Sequence, residues 1–127
     1  MNEPKKYEVS VSAVASYVAG QSDPSRNQYV FAYTITITNT GTVPAQLISR
    51  HWIITDSDRH VQEVKGQGVV GQQPLLQPGE SFEYTSGASL ATPVGTMHGT
   101  YRMVATDGLT FDAAIESFTL SVPRVLH

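Results

Sequence analysis

Not one cysteine occurs in the 127 residues. Disulfides, cysteine-ligated zinc and cysteine nucleophiles are therefore all excluded. Nor does any apolar run approach the ~20 residues that a membrane-spanning helix needs. The opening Met-Asn-Glu-Pro-Lys-Lys-Tyr has no apolar signal core. Positive charge is scarce as well: 8 Lys and Arg against 11 Asp and Glu leave a net charge of −3. Non-specific nucleic-acid binding rests on a basic footprint, and this balance argues against it. These absences predict a soluble, cytoplasmic chain that neither binds nucleic acid nor inserts into a membrane. Without staples its stability must come from its own core. One domain over residues 1–127 is long enough for that, burying roughly two-thirds of its unfolded surface.

Helical periodicity is missing too, and no window combines caps with a 3.6-residue apolar repeat. What is present is alternation. Tyr7, Val9, Val11, Ala13 and Ala15 share one side of a strand, with Glu8, Ser10, Ser12 and Ser16 on the other. A polar, proline-bearing loop follows over 21–27. The next strand sets Phe31, Tyr33, Ile35 and Ile37 against Ala32, Thr34, Thr36 and Thr38, residue types that suit a pleated surface. It stops at the turn Asn39-Thr-Gly41. A third strand over 46–55 places Ile48, Trp52 and Ile54 on one face, with Arg50 sharing their parity. Asp56-Ser-Asp58 turns the chain into a short strand over 61–64.

Phe82 and Tyr84 begin another strand with both rings inward, and 86–95 reads as a loop of small and polar residues. Strands over 100–106 and 109–113 flank Asp107-Gly108, a strong hairpin signal. The last strand, 118–122, turns Phe118, Leu120 and Val122 inward before Pro123. Seven or eight short strands separated by turns predict an all-β antiparallel sandwich, with a barrel as the alternative. Two details favour an immunoglobulin or fibronectin type III-like form. Trp52 lies mid-strand on the third strand. Gly99-Thr-Tyr101-Arg-Met103 has the spacing of a tyrosine corner, whose hydroxyl bonds backbone a few residues upstream.

The sequence offers few groups for chemistry. Gly66, Gly68 and Gly71 have the G-x-G-x-x-G spacing of a dinucleotide fingerprint. That motif requires a helix beginning across its third glycine, with the phosphates at the helix N-terminus. Here Pro74, Pro78 and Gly79 follow, so a glycine-rich connection between strands is the preferred reading. Lys65 beside exposed backbone N–H groups keeps a phosphate- or nucleotide-binding loop of Lys65, Gly66, Gly68 and Gly71 as the alternative. Asp56, Asp58 and His60 form a compact Asp-x-Asp-x-His group that a hard divalent cation could use, although three such residues are too few to close a site. Aspartates in turns also cap their own backbone. His51, His98 and His127 have no metal-ligand spacing, and spacing gives Glu80, Glu83 and Glu116 no reason to meet. No catalytic residue and no cofactor are expected.

Larger blocks carry a family likeness. They are His51-Trp-Ile-Ile-Thr-Asp56, the stretch from Val61 to Pro74, the stretch from Gln77 to Gly87, Thr92-Pro-Val-Gly-Thr-Met-His-Gly-Thr-Tyr-Arg-Met103 and the ending Pro123-Arg-Val-Leu-His127. In this order they resemble the bacterial ApaG family across essentially the whole chain. The resemblance implies a fibronectin type III-like sandwich, a genetic link to cobalt resistance and magnesium efflux, and a protein-interaction role like that of similar domains in larger eukaryotic proteins. It supplies no agreed catalytic residues. The expected function is a non-enzymatic adaptor with a protein partner. Any phosphate or divalent-cation ligand would be secondary.

Overall fold

Period-two alternation over most of the chain drives it into two packed sheets, because each strand has one apolar face to bury. The computed structural model describes residues 4–123. Its strands are β1 (Val9–Tyr17), β2 (Tyr29–Asn39), β3 (Ala45–Asp56), β4 (Val61–Gln67), β5 (Leu75–Leu76), β6 (Ser81–Leu90), β7 (Val94–Ala105) and β8 (Thr110–Ser121). β1-β2-β6 form one antiparallel sheet, and β4-β3-β7-β8 form the other, with β5 added beside β3. The only helical turns among the described residues are two three-residue 3-10 turns in the β1–β2 connection. The result is the antiparallel sandwich expected from the sequence.

Both inner faces feed one apolar cluster. Phe31, Ile35 and Ile37 of β2 meet Leu47 and Trp52 of β3, Met97, Tyr101 and Met103 of β7, and Ile115 and Leu120 of β8. Trp52 sits at its middle and is 2% exposed. It packs edge-on to Tyr33 of the opposite sheet, to Tyr101 and to Phe118, with ring centroids 5.4, 6.2 and 5.9 Å away. Edge-to-face contacts of this kind add to the apolar burial of the rings. Buried Asn39 ends β2. Its amide donates to the carbonyls of Val43 and Leu76 and accepts from the Gly41 N–H. One side chain thus satisfies three backbone groups that the strand ladders leave over.

Two bulges correct the expected strand faces. In β3 the pairing with β7 steps from Leu47↔Met103 to Ser49↔Arg102, leaving Ile48 unmatched. The core position is consequently Leu47, fully buried, and Ile48 is only half-buried. In β8 the pairing steps from Gly99↔Ile115 to Met97↔Phe118, so Glu116 and Ser117 stand opposite His98. The two strands expected over 109–113 and 118–122 are one strand whose inward parity switches at this bulge. Ala113 and Ile115 point inward before it, and Leu120 after it.

The loop expected over 86–95 is mostly strand. Gly87 and Ala88 continue β6 by pairing with Ala32 and Phe31, and β7 already begins at Val94. Small residues there lower strand propensity, but a full ladder with β2 overrides it. β5 was also hidden, being two residues paired to Ala45 and Gln46. The Asp107-Gly108 hairpin forms as expected, with Gly108 at φ 93°.

Tyr101 does not make a tyrosine corner. Its hydroxyl is buried and shares a 2.5 Å hydrogen bond with the hydroxyl of Tyr84, across the sandwich. The pattern 99–103 identified a buried tyrosine but not its partner, which lies in the other sheet. Replacing Trp52 by Ala should lower stability by about 3–5 kcal/mol, the range for truncating a large aromatic in a core. A chemical denaturation midpoint that stays at the wild-type value would refute this placement of the indole.

Candidate functional site

Hairpin arithmetic builds the site. β3 and β4 pair antiparallel around the 57–60 turn, which sets Trp52 opposite Val64 and Arg50 opposite Gly66. Trp52 faces inward, so Arg50, two residues earlier and beyond the Ile48 bulge, faces inward too. Its guanidinium lies flat over Gly66: a Cβ there would come within 2.8 Å of Cζ, Nη1 and Nη2. Nη1 donates to the carbonyls of Gln67 and Gly68, at 3.0 and 2.9 Å. Gly68 takes φ 62°, and a Cβ on it would meet the Gln72 carbonyl oxygen at 2.3 Å. Val70 and Gly71 also have positive φ, and Val69 and Gln72 bond to each other to close a tight turn. No helix follows. The first two glycines of the motif thus seat Arg50 and fold the loop back, so that Val69 enters the core with no exposure.

Lys65 belongs to the other face of the sheet. It pairs with Glu63 at 3.4 Å, and Glu63 also bonds His51 at 2.6 Å. The His51 hydrogen bond, then Lys65, holds the Glu63 carboxyl below its ordinary range. Lys65 and the glycines are therefore neighbours in sequence, but the lysine is engaged by a carboxylate on the outer surface.

Between Arg50 and the opposite sheet lies a cavity of about 290 Å³. Tyr33, Trp52 and Tyr84 wall it, Arg50 and Ser86 add polar groups, and Gln67, Val69, Val70 and Gly71 cover it. The indole N–H of Trp52 is buried without a hydrogen-bond partner. Burial pushes the Tyr84 phenol up to about 12, against smaller opposing effects of the Tyr101 hydroxyl, the Arg50 charge and the nearby indole. Burial raises Tyr101 further. Both phenols therefore keep their protons at neutral pH. Arg50 and the Trp52 N–H were missed as site residues. The signal was in the sequence: pairing positions that sum to 116 about the Asp56-Ser-Asp58 turn set an inward arginine against a glycine.

The Asp56, Asp58 and His60 group is a turn. Asp56 Oδ1 accepts the backbone N–H groups of Asp58 and His60, while Oδ2 lies 3.3 Å from His60 Nδ1. Burial acts to raise the Asp56 carboxyl, but those two N–H groups and His60 together hold it below its ordinary value. Asp58 is exposed and bonds outward to nothing, and no group of three His, Asp or Glu is placed to hold a metal among the described residues. His98 points outward from β7; Glu80 caps the Gln77 N–H, Glu83 meets Thr36, and Glu116 sits exposed in the β8 bulge. These side chains do not converge. His127 lies outside the described residues.

A family model for the ApaG domain matches residues 19–105. The chain belongs to the ApaG family. The protein ApaG of Thiobacillus denitrificans is 69% identical to it over 127 residues, covering both chains fully. The protein ApaG of Aromatoleum aromaticum is 62% identical over the same span. A crystal structure of a Bordetella pertussis protein, solved under the name ApaA, superposes with a TM-score of 0.93 at 61% identity, covering 97% of this chain and 100% of that one. The part matched by the ApaG model excludes β1 and β8, yet both strands complete the sandwich here, each paired to a sheet and packed against the other.

Two predictions test this ApaG site. Gly68→Ala should cost about 1–3 kcal/mol, because positive φ and backbone overlap both oppose a Cβ. Gly66→Ala should cost less than about 1 kcal/mol, since the atoms in its way end a flexible side chain, and Lys65→Ala less than about 0.5 kcal/mol. Thermal or denaturant unfolding of the three variants gives the order, and a Lys65→Ala loss matching that of Gly68→Ala would contradict it. The second concerns acid. A carboxyl depressed on folding contributes stability that is complete above its ordinary value of 3.8 and is lost as pH falls through the lower folded value. Asp56→Ala should therefore be least stable relative to wild type at neutral pH, with the gap narrowing below pH 4. A gap that widens on acidification would reverse the assignment.

Proposed function

We propose that this chain is a non-enzymatic, cytoplasmic interaction domain that binds an extended segment of another protein. The supporting observation is the free margin of the larger sheet. β4 ends that sheet, and β5 continues the same side of β3. Six of the seven β4 residues are exposed. Val61, Val64 and Leu75 along this margin, and Val70 in the loop between, are 61, 38, 51 and 53% exposed. An edge strand with apolar side chains offers unpaired backbone groups and side-chain contacts together, which is how an added strand is recognised. Fibronectin type III-like sandwiches in interaction modules give the reading its architectural precedent.

Through the family resemblance, the effect of such binding falls on cation handling, in cobalt resistance and magnesium efflux. No helix of the described residues is long and apolar enough to cross a membrane. The two sheets close on a filled core rather than a channel, so an effect on efflux would pass through the bound partner. The test is affinity capture from lysate, with and without Mg²⁺, comparing wild type with Val61→Lys/Leu75→Lys. The expected result is a defined partner that the double variant retains at less than a tenth of the wild-type amount. Equal retention by the two proteins would remove the edge as the binding surface.

A further inference from the structure

The cavity beside Arg50 is flanked by hydrogen-bond donors with protons to spare. The Trp52 N–H is buried behind the cavity wall, near the Tyr84 hydroxyl but with no partner at hydrogen-bonding distance. Tyr84 and Tyr101 have two hydroxyl protons but one bond between them, so one O–H remains to donate outside the pair. Tyr84 is the member lining the cavity. Arg50 spends Nη1 on the Gln67 and Gly68 carbonyls, pairs with no carboxylate among the described residues, and keeps the hydrogens of Nε and Nη2. A buried donor without a partner costs on the order of 1–3 kcal/mol. A fold that sets the spare protons of Tyr84 and Arg50 beside one space is complementary to something that accepts.

Charge and shape narrow the class. A half-buried guanidinium without a counter-ion calls for an anion, and its planar fork suits a carboxylate. The rings of Tyr33, Trp52 and Tyr84 stand among the polar groups of Ser86 and Gln67, and offer an apolar body a surface that a wholly polar ion such as inorganic phosphate does not use. The space of about 290 Å³ admits only a small group. We propose that this cavity binds the carboxylate of a small organic acid, with Arg50 and the Tyr84 hydroxyl gripping the oxygens and the aromatic rings taking the carbon skeleton. The site is separate from the β4 margin and does not depend on the adaptor reading.

The single tryptophan of the chain reports on it directly. The indole N–H gives one cross-peak in a ¹H–¹⁵N spectrum, to be followed while the protein is titrated with butyrate and benzoate. The neutral partners butyramide and benzamide, and inorganic phosphate, serve as comparisons. A tripeptide with a free C-terminus and its amidated form separate a free acid from a chain-end carboxylate as the source. The expected result is a saturable shift of the indole resonance, as a wall of the cavity, by the acids alone, at least tenfold weaker in Arg50→Gln. Should that variant not fold, Tyr84→Phe replaces it, with an expected weakening of several-fold. A shift by the free tripeptide and not its amide extends the carboxylate assignment to chain ends. An indole resonance that no acid moves, or that amides or phosphate move equally, would overturn the proposal.

Discussion

Everything else in this sandwich is arranged around keeping one indole in the plane between the sheets. Trp52 touches Tyr33 across the interface and Tyr101 and Phe118 within its own sheet, all three at steep ring angles. A β3 strand slipped by a single residue would lose those contacts, since such a slip exchanges its two faces. Both bulges serve the same end. The one at Ile48 lets Leu47 and Trp52, five positions apart, share a face. The one at Glu116 and Ser117 brings Phe118 onto the indole although Ile115 already faces inward. The indole is held on its faces and edges, but its N–H is left unanswered. Packing and polar satisfaction meet there with only the first complete.

The physical signals that are local were legible. Alternation in β1 and β2, the stop at Asn39-Thr-Gly41 and the Asp107-Gly108 hairpin each depend on neighbouring residues, and the structure shows all of them. What escaped depends on registers between distant strands. Nothing around Ile48 or Glu116 marks an extra residue, because neither bulge carries a glycine or proline. Small residues at Gly87 and Ala88 read as a loop until β2 supplies the ladder. The spacing around Tyr101 found a large buried side chain but could not find Tyr84, which belongs to the opposite sheet.

The glycine motif shows how one spacing supports different chemistry. In a dinucleotide site, glycines let the backbone approach a phosphate. Here Gly66 gives the same close approach to an arginine of the same chain, and the carbonyls of Gln67 and Gly68, not N–H groups, face the charge. Polarity is thereby inverted: carbonyl oxygens hold a cation. The arginine keeps its remaining N–H groups unbonded beside the cavity, so any attraction for an anion is relocated from the loop backbone to a side chain lying across it.

The packing of β1 against β8 has a consequence for how the molecule comes to be. The earliest strand in the sequence is sealed by the latest one, so the sandwich cannot close until nearly all of its strands exist. Closing such a distant pair carries its entropic cost before the contact repays it, which slows folding relative to a chain of local contacts. Ser10, Ser12 and Ser16, alternating along the outer face of β1, keep that strand wettable on one side while its apolar side awaits a partner. The first and last strands, farthest apart in the sequence, are thereby coupled in stability, because loosening either uncovers the apolar side of the other.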